Sequence, residues 1–321
     1  MKAMRRAVID VGTNSVKLLV ADISGREVQP VWEESKQTRL GRGFYETRRL
    51  QPDAIDATGK AVAQFRETAR KYEASSVRVI ATSAARDAVN GDELSAAIEK
   101  GSGLKMEIIS GEQEADWVFQ GVTTDPTLAW EPLLLLDVGG GSTEFIAGVG
   151  TGEHFSKSFP LGTVRLLEKT PPSDPPKKEE LARCREWIRD FLDKEVKPAL
   201  NLKQLDATGF HEFNAGSRLT LVGTGGTTSI LGRMEAKLET YDRAKIEATR
   251  LSLERMHWHV EHLWSLPLEE RKHIIGLPAN RADVILMGVA IYERVMETFG
   301  FKELRISTRG LRFAAVMDIG P

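Results

Sequence analysis

Asp137 and Glu144 stand on either side of a nearly bare turn in LLLLDVGGGSTEFIAG, residues 133 to 148, and Asp10 precedes a second such turn, Gly12-Thr13-Asn14-Ser15. Glycines at a strand-to-strand turn let backbone N–H groups approach an anion without interference from a Cβ, and small hydroxyl or amide side chains add donors. Such turns suit a phosphate. The donors are the amides and side chains of Gly12, Thr13, Asn14 and Ser15 in one, and those of Gly139, Gly140, Gly141, Ser142 and Thr143 in the other. A third turn, VGTGGTTS, places Gly223, Gly225 and Gly226 before a helix whose N-terminus favours negative charge. A single glycine-rich hairpin is more often only a tight turn, but three in order make a stronger pattern. Acids beside a phosphate repel it unless they hold a cation or activate water, so Asp10, Asp137 and Glu144 imply a divalent metal, with Mg²⁺ the best match. The bland alternative for Asp137 is that it satisfies the amides of its own turn.

None of the three turns is a P-loop, since no Gly-x-x-x-x-Gly-Lys-Ser/Thr occurs, and none follows the dinucleotide Gly-x-Gly-x-x-Gly pattern. The anion is expected between two domains, with one glycine hairpin reaching in from each. The elements around the turns fit that arrangement. AVIDVGTNSVKLLVADIS reads as two strands about a turn, PDAIDATGKAVAQFRETARKYEA as an amphipathic helix, VRVIATSA as a strand, and GDELSAAIEKGSG as a helix stopped by glycine. LKMEIISGEQEADWVFQGV passes from strand to helix at Ser110-Gly111, and the proline-bearing DPTLAWEP marks a crossing into a second unit. There the strand, glycine turn, strand device restarts, with Asp137 in the place of Asp10. After a proline-rich connector, TPPSDPPKK, comes the helix EELARCREWIRDFLDKEV, which Ser173 or Asp174 could cap. SRLTLVGTGGTTSILGR runs from a strand at 217 into a helix. RADVILMGVAIYERVMETFG is a buried helix ending at Gly300, and FKELRIST is a late strand.

Bulk properties narrow the classes. The 321 residues suffice for two domains, and 28% charged residues with a net charge of −2 give no basic field for general nucleic-acid binding. Any polyanion must be held locally. The lone cysteine, Cys184, excludes an internal disulfide framework and reads as a spectator on a helix. No apolar stretch reaches spanning length, and two arginines lead directly into the first strand without a signal-peptide core, so a cytoplasmic protein without a membrane partner is expected.

In that order along the chain, DVGTNSVKLL, ATSAARDAVN, SGEQEADWVFQGV, LLDVGGGSTEF, FPLGTVRL, VGTGGTTS and GLPANRADVILMG resemble the exopolyphosphatase and guanosine pentaphosphate phosphohydrolase (Ppx/GppA) family, over about residues 7 to 312. The resemblance implies an α/β protein of two ribonuclease-H-like domains, of the actin, sugar-kinase and heat-shock ATPase superfamily, with the active site in an interdomain cleft. The expected domains are 1–126 with about 303–321, and 127–302. It implies Glu114 as the water-activating base, with Glu112 a competing candidate, Arg86 facing the phosphate chain, and Arg165 within a further motif. A carboxylate near a helix start is favoured whatever its function, so the role of Glu114 rests on the resemblance. The family's Gly-Leu-Arg-Glu-Gly stretch is here GLRFAA, with Phe313 and Ala314 replacing the last two residues. Longer members continue into helical C-terminal domains, so a short form preferring short polyphosphate is expected. The substrate is inorganic polyphosphate or guanosine pentaphosphate, and the resemblance allows a homodimer.

Three rivals remain. A kinase of the same superfamily would use DVGTNSVKLL equally well. HWHVEH, residues 257 to 262, superficially resembles a metal-binding motif, yet at about 100° per residue its histidines spread around a helix. A protein that binds a nucleotide alarmone without turnover would keep the fold.

Overall fold

The computed structural model describes residues 4–150, 154–200 and 219–318, which divide into two compact units. The first unit takes Met1–Asp125, Gly140–Ser142 and Arg309–Pro321, and the second takes Pro126–Gly139 and Thr143–Thr308.

The first unit is built on a five-stranded sheet. Its strands are β1 (Met4–Val11), β2 (Ser15–Ser24), β3 (Glu27–Gln37), β4 (Val77–Ala81) and β5 (Met106–Ile108), in the order β3-β2-β1-β4-β5. The first three run antiparallel, and β4 and β5 lie parallel to β1. Val8, Ile9, Asp10 and Val11 are all buried, as a central strand covered on both faces requires. Its helices are α1 (Pro52–Lys71), the short α2 (Ser83–Asp87), α3 (Gly91–Ser102), α4 (Gly111–Val122) and, from the end of the chain, Leu311–Ala315. Pro52 begins α1, where its missing N–H would have no helical acceptor, and Gly103 ends α3 in the left-handed conformation that a side chain disfavours.

The second unit repeats the plan. β6 (Leu133–Val138), β7 (Thr143–Gly148), β8 (Phe155–Phe159), β9 (Thr220–Thr224), β10 (Arg250–Ser252) and β11 (Glu303–Ile306) form a sheet of order β10-β11-β9-β6-β7-β8. Read from the other end, β8-β7-β6-β9-β11 matches β3-β2-β1-β4-β5 in order and direction, with β10 added as an antiparallel edge. Leu133 to Leu136 are fully buried, so the apolar run noted in the sequence is again a central strand. Around this sheet lie α5 (Thr163–Lys169), α6 (Lys178–Phe191), α7 (Gly225–Glu235), α8 (Leu253–Ser265) and α9 (Ile285–Phe299); the terminal Leu311–Ala315 segment of the first unit is α10.

Several sequence expectations need correction. EVQPVWEESKQ, FSKSF and RLS are strands that sequence patterning did not reveal. The first is an edge strand whose Pro30 lies opposite Ala21, where the register shifts, so its missing N–H is tolerated. Neither Ser173 nor Asp174 is the N-cap of α6. Lys177 holds that place, its backbone N–H donating to the Glu180 carboxylate at 2.8 Å. Ser173 instead donates its hydroxyl to Glu180, and Asp174 accepts from the backbone N–H of Leu268. The helix expected from Arg281 begins at Ile285, after a 3-10 turn at Ala279–Arg281, and ends at Gly300 as anticipated. β9 begins at Thr220, and the expected start at 217 lies outside the described residues. No helix among the described residues is long and apolar enough to cross a membrane.

The end of the chain closes the first unit by a contact that tolerates no side chain. A Cβ at Gly121, near the end of α4, would overlap the backbone carbonyl of Gly310, which precedes α10. Backbone cannot swing aside as a flexible side chain can. Gly121→Ala is therefore expected to lower stability by about 1–3 kcal/mol, the usual cost of overpacking, read as an earlier denaturation midpoint; an unchanged midpoint would show that the two segments part freely.

Candidate active site

The turn after β1 is held from outside. Gly12 N donates to Ser15 O at 3.1 Å, closing the turn. The carbonyl of Asn14 accepts from Thr38 N at 3.2 Å and Arg39 N at 3.0 Å, while that of Thr13 accepts from Gly41 N at 2.7 Å. A Cβ at Gly41 would overlap the Thr13 methyl group, so glycine is required for this approach. With the two carbonyls engaged by the loop after β3, acceptors of the turn are used internally, an arrangement that favours anions at its N–H side. Thr13, Asn14 and Ser15 are all buried.

Asp10 lies one residue before the end of β1, directly across from Lys17 on β2. It is buried, and its Oδ1 has no hydrogen-bond partner among the described residues. Burial raises its pKa above the ordinary carboxylate value, partly offset by the positive charges of Lys17 and Arg312. On the same unit, α2 and α4 bring Arg86 and Glu114 together. Arg86 Nη1 donates to Glu114 Oε2 at 3.1 Å and to the carbonyl of Ile109 at 3.0 Å. Glu114 is buried, whereas Glu112, two residues earlier on α4, is exposed. Ser110 caps this helix by accepting from Gln113 N, which fixes the first turn that carries both acids. Gly140, Gly141 and Ser142 belong to this unit as well, and a Cβ at Gly141 would overlap the hydroxyls of Ser83 and Tyr45.

In the second unit Asp137 and Glu144 are direct cross-strand partners, so both side chains leave the same face of the sheet. Glu144 is buried and accepts from the Ser158 hydroxyl at 2.7 Å. Gly139 anchors its turn through its carbonyl, which accepts from Thr163 N at 2.9 Å. Thr143 donates its hydroxyl to the carbonyl of Leu161 and is fully buried, so this side chain braces the hairpin from inside. Gly225 opens α7 with φ +87°, and a Cβ there would overlap Asp137 Oδ1. Two constraints therefore demand glycine at 225. They place the Asp137 carboxylate against the N-terminus of α7, where the helix dipole favours it. Behind it, Tyr292 donates to the carbonyl of Leu136 at 3.2 Å, and burial beside Asp137 pushes its hydroxyl pKa well above the ordinary range.

Two further residues emerge only from the coordinates. Arg281 Nη2 would lie 3.0 Å from a Cβ on Gly226, which puts a guanidinium at the start of α7. Its signal in the sequence was the ANRAD segment, but nothing in that segment singles out the arginine. Ser158, the partner of Glu144, sits in a strand that the sequence did not disclose. Arg165 lies half-buried on α5.

The histidines of α8 do not converge. His257 faces Glu297 and His259 faces Glu235, each at 2.7 Å, while His262 stacks on Trp258. Burial lowers the pKa of His259, partly offset by Glu235. Among the described residues, His257, Glu293 and Glu297 form a group with metal-capable atoms within 4.8 Å of one another. Glu293, however, is fully buried and held at both oxygens by Arg185, at 2.7 and 2.6 Å, so its charge is already neutralised. This is an ion-pair network joining α6, α8 and α9.

A family model, the Ppx/GppA phosphatase family, matches residues 19–319. Exopolyphosphatase 2 of Mycobacterium tuberculosis is 33% identical, with 96% of each chain covered. The crystal structure of the Aquifex aeolicus member of the Ppx/GppA family superposes with a TM-score of 0.76 at 30% identity, covering 98% of this chain and 96% of that one. An exopolyphosphatase from Cytophaga hutchinsonii superposes with a TM-score of 0.83 at 26% identity, covering 98% and 97%. The fold is the actin-like ATPase fold that the paired sheets express. From the repeated acid-flanked hairpins to these whole-chain matches, the observations agree that the chain belongs to the Ppx/GppA phosphatase family, phosphohydrolases that cleave anhydride bonds.

Proposed function

We propose that this protein releases orthophosphate stepwise from the end of inorganic polyphosphate, with Mg²⁺ assisting and Glu114 as the group that orients and deprotonates the attacking water. The observation that carries this reading is the buried Glu114 carboxylate gripped by Arg86. Phosphoanhydride hydrolysis needs little covalent help from a protein; it needs a water in line with the leaving group and neutralised phosphate oxygens. Glu114 supplies a fixed acceptor for a water proton. Among the described residues Arg86 uses only Nη1, which leaves the rest of its planar fork for two phosphate oxygens. One guanidinium thus sets the distance between phosphate and base. The exposed Glu112 has no such restraint among the described residues, which favours Glu114 as the base.

The turns supply the cradle. Thr13, Asn14 and Ser15 hold phosphate oxygens on a turn that Gly12 keeps closed and free of a Cβ, joined by Gly139, Gly140, Gly141, Ser142 and the amide side of Gly225. Thr143 contributes through its backbone, because its hydroxyl is taken. A divalent cation fits these residues: Asp10 Oδ1 is a buried acceptor with no partner among the described residues, and Asn14 Nδ2 on the same hairpin is a buried donor with none. The first suits a cation or its water, the second an anion. Asp10, Asp137 and Glu144 would hold the metal, which when bound neutralises the non-bridging oxygens of the cleaved anhydride. The two units are taken as the two domains. Kinship to an enzyme named exopolyphosphatase favours polyphosphate as substrate.

Glu114→Gln should cut the turnover number by roughly 10²–10⁴-fold, the usual range for a lost general base, with the melting curve unchanged; Glu112→Gln should stay near wild type. Equal losses in both variants would remove Glu114 from its role.

Asp10→Asn should show the opposite pattern for stability. Because burial raises the Asp10 pKa, the folded protein favours the neutral carboxyl, and the ionised form costs stability at neutral pH. That cost sets in as pH rises through the ordinary carboxylate value and is complete above the raised one. The variant should therefore be more stable than wild type at neutral pH, read as a later denaturation midpoint, an advantage that shrinks as pH falls into the acid range, while phosphate release is lost.

Phosphate release with Mg²⁺, compared across short polyphosphate, long polyphosphate and guanosine pentaphosphate, tests the substrate. Short polyphosphate is expected to be turned over best; a decisive preference for guanosine pentaphosphate would replace this reading with a nucleotide 5′-phosphohydrolase.

A further inference from the structure

Asn14 carries a side-chain amide with two unlike ends, and only its NH₂ end can donate to a phosphate oxygen. A free amide would present either end. In the structure its Oδ1 accepts a hydrogen bond from Gln37 Nε2 at 3.2 Å, while its Nδ2 is buried with no partner among the described residues. Asn14 as a whole is only 6% exposed, so the unfilled donor cannot be satisfied by bulk water. A buried donor left unpaired costs about 1–3 kcal/mol, and such a cost is retained where a ligand completes the bond.

The placement of Gln37 is equally specific. It is the last residue of β3 and pairs across the sheet with Ser15, the first residue of β2. The next two residues, Thr38 and Arg39, direct their backbone N–H groups to the Asn14 carbonyl. Asn14 is therefore clasped at two points by one segment: its backbone by 38–39 and its amide oxygen by Gln37. The Thr38 hydroxyl, buried beside this clasp in sequence, likewise lacks a partner among the described residues.

We infer that Gln37 is a positioning residue for phosphate binding: by occupying Asn14 Oδ1, it turns the Asn14 NH₂ group toward the anion held by the Gly12–Ser15 turn. This rests on the proposal that the turn holds substrate phosphate, and adds to it a residue on a neighbouring strand that never touches the ligand. Its effect is on affinity, since water and base are placed by other elements. A polyanion bound by many donors should lose only a modest part of its affinity when one amide is no longer aimed.

The test is a double-mutant cycle on the full-length protein, with Gln37→Met, which keeps length but removes both polar atoms, and Asn14→Ala. Two readouts are taken: steady-state kinetics on short polyphosphate, and affinity for inorganic phosphate with Mg²⁺ present, from calorimetry or product inhibition. Gln37→Met should raise KM and weaken phosphate binding roughly two- to fivefold, the scale of one neutral hydrogen bond, with kcat nearly unchanged. In the Asn14→Ala background the same change should have no further effect. Additive effects of the two changes, or a Gln37→Met protein with wild-type phosphate affinity, would overturn the inference while leaving the phosphate turn intact. If Asn14→Ala itself left KM and phosphate affinity untouched, both the turn's role and this inference would fall. Asn14→Ser, which restores a small donor, guards against a folding defect: it should recover part of the affinity, and in that background Gln37→Met should again be silent.

Discussion

A carboxylate buried near the end of a central strand, with one oxygen lacking a partner among the described residues, is the constraint around which the first unit is arranged. Such a group opposes folding, and the surrounding sheet must outweigh it. Ile9, Val16, Leu18 and Val79, on the opposite face of the same sheet, are almost wholly withdrawn from water, and each such side chain contributes about 1.5–3 kcal/mol relative to exposure. The sheet is therefore more than a support. It is the source of stability that allows Asp10 to remain dry and poised.

The same device appears twice with one difference. Lys17 follows Asp10 by seven positions and faces it, and Glu144 follows Asp137 by seven and faces it. In the first hairpin the pair is of opposite charge; in the second it is of like charge. Like charges directly opposed across strands are destabilising, and the second unit meets this with the Ser158 hydroxyl on Glu144 and the N-terminus of α7 beside Asp137. Those contacts ease the repulsion. Two carboxylates on one face are the donor set that the proposed metal site draws on, and the Asp10–Lys17 pair occupies the matching place in the first hairpin.

Much of this was legible in the sequence because the glycine turns are local features. Their positions, the strands on either side and the helices begun by Pro52 and ended by Gly103 or Gly300 follow from backbone chemistry within a few residues. β3, β8 and β10 were not legible, since an edge strand exposes one face and its polar residues blur the alternation. Their invisibility hid the partners they carry: Gln37 ends β3, and Ser158 sits in β8. The Arg86–Glu114 pair was foreseen as two separate roles. Its existence as a pair depends on the end of α2 meeting the start of α4 in space, 28 positions apart in sequence, which no local pattern encodes. The committed hydroxyl of Thr143 was likewise invisible, because its acceptor lies at Leu161.

Constraint is distributed unequally between the turns and the residues that support them. At Gly41, Gly141 and Gly225 an added Cβ would overlap a neighbouring side chain, and at Gly225 the backbone is also left-handed. A side chain at any of them would force its neighbour to move, and at Gly225 it would also sit in a strained backbone. Gln37 and Ser158 act through a side-chain hydrogen bond that other residue types can make or omit. Altering a supporting hydrogen bond shifts affinity by a modest factor, whereas altering a turn glycine displaces the backbone that carries every donor at once.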